Sequence, residues 1–66
     1  MGMGEGRFRV EELNPFLEWH LHMTASSLEE ASESAKRIAK MIERKTRVLK
    51  DDGVVILEVD PLEERN

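Results

Sequence analysis

The sequence predicts an α+β fold of two layers, a small and mostly antiparallel sheet packed on one helix. The expected order is strand, strand, helix, strand, with room for an extra short strand before the last (ββαβ or ββαββ). Three observations carry this expectation. Residues 27–46, SLEEASESAKRIAKMIERKT, set apolar side chains at helical spacing, residues 17–23 alternate apolar with polar, and residues 54–59, VVILEV, form a short run rich in β-branched residues.

Taken in order, residues 1–6 mix Met, Gly and Glu without any period and are expected to form a disordered tail. From Arg7 to Glu11 apolar and charged residues alternate, as in a half-buried strand, and the charge suits a sheet edge or a position whose outer face stays in water. Asn14-Pro15 marks a loop through Glu12 to Phe16. Leu17, Trp19, Leu21 and Met23 then alternate with Glu18, His20 and His22, which is the clearest strand pattern in the chain. Pairing Val10 with Trp19 and Phe8 with Leu21 would hold the apolar sets on one face and make Trp19 the centre of the core. It would also set Arg9 near His20 and Arg7 near His22 on the other face.

Ser27 followed three residues later by Glu30 fits a capping box, so the helix is expected to start there. Leu28, Ala31, Ala35, Ile38, Ala39 and Ile42 fall within an arc of roughly 100°, one buried stripe. Three alanines make that stripe low, which lets a sheet approach closely. Beyond it, Asp52-Gly53 is a hairpin signal, so Val48 and Leu49 fit either a short strand or a loop. In the last strand Val55, Leu57 and Val59 are expected to face the helix, and Pro61 ends the run. The domain thus spans 7–60, and residues 61–66 are expected to be an acidic tail. The strand-helix-strand arrangement resembles half of a ferredoxin-like unit, a fold that hosts many activities and implies none in particular.

Sixty-six residues make one small domain, for which conformational entropy opposes folding by on the order of 100 kcal/mol. The chain has no cysteine to form disulfides. The remaining staple for so short a chain is association, so a homodimer or higher oligomer is expected. A net charge of −4 argues against a surface built wholly for phosphate backbones. No apolar run approaches the roughly 20 residues that span a bilayer, and the N-terminus lacks the apolar segment of a signal peptide. A cytoplasmic protein with no membrane contact is the expectation. No catalytic or cofactor motif is present, so neither an enzymatic activity nor a cofactor is expected.

Three groups of residues are candidate sites. Glu18, His20 and His22 would stand in a row on one strand face and offer a carboxylate and two imidazoles to a metal shared across a dimer, although the expected arginine neighbours oppose a bound cation. Lys36, Arg37, Lys40, Arg44 and Arg47 would form a basic stripe opposite the apolar helix face, and six of the ten basic residues fall between positions 36 and 47. That stripe fits phosphate contact or an acidic protein partner. The helix macrodipole accounts for it equally, since Glu29, Glu30 and Glu33 crowd the first turns and the cations the last. Leu13, Phe16, Val54 and Ile56 would lie on the far side of the sheet, where a two-layer fold leaves them in water, and such patches mark association. The sequence therefore points to a small binding or regulatory protein that self-associates and contacts a protein partner. Nucleic-acid binding through the basic stripe and metal binding through the histidines are the alternatives.

Overall fold

A computed structural model describes residues 7–62. Four strands and one helix succeed one another as β1 (Phe8–Leu13), β2 (Trp19–Ala25), α1 (Leu28–Ile42), β3 (Thr46–Lys50) and β4 (Val55–Val59). One antiparallel sheet in the order β2-β1-β3-β4 carries α1 on a single face, so the expected two-layer α+β architecture holds and the extra strand exists. The expected tail at 1–6 and all but the first two residues of the expected tail at 61–66 lie outside the described residues; Pro61 and Leu62 form a turn after β4.

The charged strand β1 is central, so of its two expected placements the edge is not the one adopted, and its outer face is the one α1 leaves uncovered. It is bonded to β2 on one side and to β3 on the other. The pattern of alternating charge is satisfied across the sheet, with Glu11 opposite Arg47, so water at an edge is not required to solvate it. The strand that runs parallel to β2 is β3, with β1 between them, while β4 runs antiparallel to β2.

Ser27 caps α1 as expected, its Oγ accepting from the Glu30 amide at 3.1 Å. The Glu30 carboxylate does not return to the cap; it accepts from Ser26 Oγ at 3.5 Å. The helix ends at Ile42 instead of Thr46. Glu43 takes the left-handed conformation at φ 58° and donates its amide to the Ala39 carbonyl at 2.8 Å. Thr46 is drawn into β3, where it is buried and donates its hydroxyl to the Ala35 carbonyl at 2.9 Å. The low stripe is as expected: Ala31, Ala35 and Ala39 are fully buried against Val10 and Val48. Ser34 is buried too, whereas Leu28 is 47% exposed at the helix start.

Both edge strands are bulged, and this redistributes the apolar residues. Phe8 pairs with Ala25 and Val10 with Met23, but an extra residue in β2 then sets Glu11 opposite Leu21 and Leu13 opposite Trp19. Met23 and Ala25 therefore pack under α1, and Trp19 and Leu21 turn to the other face. Trp19 is not the core centre, and neither Phe8 nor Val10 meets its expected partner. The second bulge places Val48 opposite Leu57 but Leu49 opposite Val55, so Leu57 and Val59 face the helix and Val55 does not. Leu17, expected in β2, lies in the preceding loop at φ 65°. That loop is a turn in which Pro15 takes the first central position, with Leu17 N donating to Asn14 O at 2.9 Å. Asn14 Oδ1 accepts from the amides of Phe16 and Glu18, both at 2.9 Å.

Candidate binding surface

The uncovered face of the sheet is built from alternate residues of all four strands. Because Val10, Thr46, Val48 and Val59 point to α1, their neighbours point away. One row across the sheet reads Thr24, Arg9, Leu49, Val55, and the next reads Leu21, Glu11, Arg47, Glu58; Trp19 and Leu13 pair beyond it. This surface is neither plainly apolar nor plainly charged. Leu21 and Val55 are exposed, Trp19 and Leu13 are half-buried, and Leu49 is buried although no second layer covers it.

Long side chains provide that cover. Arg47 reaches across β1, donates Nε to Glu11 Oε1 at 2.9 Å and sets a terminal nitrogen 2.8 Å from the same oxygen. Its guanidinium carbon stands 4.1 Å from the Trp19 ring centroid, a cation-π stack. The pair is largely shielded, with the Arg47 and Glu11 side chains 21% and 13% exposed. Arg9, between Thr24 and Leu49, has a buried Nε with no hydrogen-bond partner among the described residues. A buried charged donor without an acceptor is costly, and the half-buried guanidinium that carries it is where an acceptor from outside the chain could meet this face.

The sequence-derived association residues are dispersed around this surface. Leu13 lies on it; Val54 and Ile56, 53% and 38% exposed, flank Val55 along the outer edge of the sheet; Phe16, 81% exposed, projects from the loop before β2. Trp19, Leu21 and Val55 join them only because of the bulges, and strict alternation gives no hint of a bulge. The continuous run Val54-Val55-Ile56-Leu57 was the available signal, since a strand apolar on both faces implies cover on both.

The basic stripe does not persist as one surface. Lys36, Arg37 and Lys40 are exposed on α1, Arg44 lies in the turn beyond it, and Arg47 is on the opposite side of the sheet. Lys40, Arg44 and Lys45 instead rim an open groove of about 540 Å³ with Pro61 and Leu62, where Glu43 and Asp60 offset much of their charge. Arg37 approaches Ser34 Oγ at 3.5 Å.

The histidines are placed differently from expectation as well. His20 lies opposite Glu12, not Arg9, and Arg9 lies opposite Thr24. His22 Nδ1 is 3.0 Å from Glu12 Oε1, and His20 Nε2 is 3.8 Å from Glu18 Oε1. Glu18 and His20 thus approach each other while His22 turns to Glu12, and no group of three or more potential ligands converges among the described residues. None of the described helices is long and apolar enough to cross a membrane. Comparison with protein-family models, with curated proteins and with solved structures finds no significant match to this chain.

Proposed function

We propose that this chain is a small, non-enzymatic binding or regulatory protein that self-associates and acts through protein-protein contacts made by the uncovered sheet face and the adjoining β4 edge. The observation that carries the reading is the imbalance between the two faces of the sheet. The helix side buries its strand residues well, yet its inventory is poor: among the described residues eight buried apolar residues form that core, and four of them are alanine. A core of this size offsets the entropy of ordering with little to spare. Meanwhile Leu21, Val54, Val55 and Ile56 remain in water around a sheet face with no second layer. Covering that face supplies the missing burial.

The β4 edge contributes in a second way. Only its β3 side is hydrogen-bonded within the sheet, and Glu58 is its single charged residue. The other edge, β2, carries His20, His22 and Thr24 among its exposed residues and is the better guarded of the two.

Sedimentation equilibrium over a wide concentration range tests the reading. A species of twice the 7.6 kDa chain mass is expected, and Ile56→Asp is expected to weaken it. A wild-type protein that stays at the single-chain mass at its highest attainable concentration refutes self-association.

A further inference from the structure

We propose that the uncovered sheet face is closed by a second copy of this chain in a two-fold dimer, in which Arg9 of each copy receives Glu58 of the other. The inference rests on the self-association reading above and adds to it the face and the specific pair.

Two groups of opposite charge on this one face have no ion-pair partner among the described residues, one half-buried and one in water. Arg9 Nε is buried without a partner among the described residues, and its cross-strand neighbours Thr24 and Leu49 offer no carboxylate. The nearest acid on its own strand face, Glu11, already receives Arg47 twice at one oxygen. Glu58 is the counterpart. It stands directly opposite Arg47 in the β3-β4 ladder, but Arg47 turns the other way, toward Glu11 and Trp19, and Glu58 makes no ion pair among the described residues.

Within one chain the two cannot meet. They are two strands and one row of side chains apart, which at about 4.8 Å per strand and 3.3 Å per residue is roughly 12 Å between Cα atoms. A two-fold axis removes the obstacle. In an isologous interface, if position i contacts position j of the other copy, then j contacts i by symmetry, so one axis passing over β3 between Arg47 and Leu49 forms both ion pairs at once. Leu21, Leu49 and Val55 surround that axis, and the Arg47-Trp19 stack closes one corner.

Charge favours this occupant, and area sets its strength. Four strands by five residues give a face of about 19 by 17 Å, so two such faces cover roughly 650 Å² in projection, the size of a weak association that depends on concentration. Two copies each carrying −4 repel at a distance, so their association requires local opposite charges where they touch.

Symmetry also provides a discriminating test by charge reversal. Glu58→Arg alone would set like charges against Arg9 at both pairs, and Arg9→Glu alone would do the same with the signs inverted. Each is expected to raise the dimer dissociation constant at least tenfold. Mixing the two variants one to one is expected to restore association close to the wild-type level, because the heterodimer regains an opposite-charge pair at both positions. Restoration also shows that both variants fold. Three outcomes overturn the pairing: single variants that dimerise as wild type does, single variants whose mixture stays dissociated, or a face that binds an unrelated protein or nucleic acid while the wild type remains a single chain. The first two, with a dimeric wild type, refute the pair and leave self-association standing; a monomeric wild type refutes both.

Discussion

Replacing Ala35 by leucine would put three further carbons where α1 and the sheet already touch. The closeness of that contact is visible in one bond. Thr46 has a hydroxyl only two bonds from its own strand backbone, yet it reaches the Ala35 carbonyl at 2.9 Å. Ala31, Ala35 and Ala39 on the helix and Val10, Thr46 and Val48 beneath them are all fully buried, so no side chain there can swing into water. The leucine must lift the helix or bend a strand. Overpacking of this kind costs about 2 kcal/mol, and losing the Thr46 bond adds about 1. The sum, about 3 kcal/mol, is a third or more of the roughly 3–10 kcal/mol available to a chain of this length. Urea unfolding monitored by far-UV circular dichroism at one fixed protein concentration measures it, and the melting temperature should fall by roughly 12–24 °C. Lys36→Leu is the control, because position 36 is exposed and leucine matches lysine in helix propensity; its effect should stay within about 0.5 kcal/mol. An Ala35→Leu protein less than about 1 kcal/mol weaker than wild type would refute the close seating of the helix.

Two other perturbations probe different parts of the fold. Arg47→Met should cost about 2 kcal/mol, since it leaves the shielded Glu11 carboxylate unpaired, and it should shift the emission of the single tryptophan; adding Glu11→Leu should recover most of the loss, and a double variant as weak as the single would show that the ion pair is not what matters. Glu43→Gly should stabilise the protein by about 0.5–1 kcal/mol in the same urea assay, because Glu43 is held at φ 58° where glycine is unstrained, and a loss of stability would contradict that backbone assignment.

The helix start and its buried stripe were legible because they depend on local chemistry. Ser27 can cap only the residues directly after it in the chain, and Ala31, Ala35, Ile38 and Ala39 share a face whatever lies beneath. The helix end was not legible. Residues 43–45, Glu-Arg-Lys, are good helix formers, and the stop relies on a glutamate in a left-handed turn with no glycine or asparagine to announce it. Thr46 then leaves the helix for a strand whose buried contacts outweigh local preference. The central place of β1 was hidden for a related reason: its charges are answered by Arg47, which is 36 positions from Glu11 in sequence. In β2 and β4 the failure lies in the period itself. Leu21 and Met23 stand two residues apart and should share a face, but one extra residue in the ladder separates them. The candidate surface inherits this, since Trp19, Leu21 and Val55 all reach it through bulges that no alternation rule predicts.

The Arg47 cover over Trp19 also bears on the life of the chain as a single copy. A newly made copy of a sheet with one bare side is a precipitation hazard, because any other exposed apolar surface can adhere to it. Here the largest ring on that side already lies beneath a hydrated cation tethered to Glu11. The cover masks the most adhesive group without adding a domain or a ligand. A lone chain is thereby less prone to indiscriminate sticking, and in the proposed dimer the concentration at which copies meet would set when the surface is used.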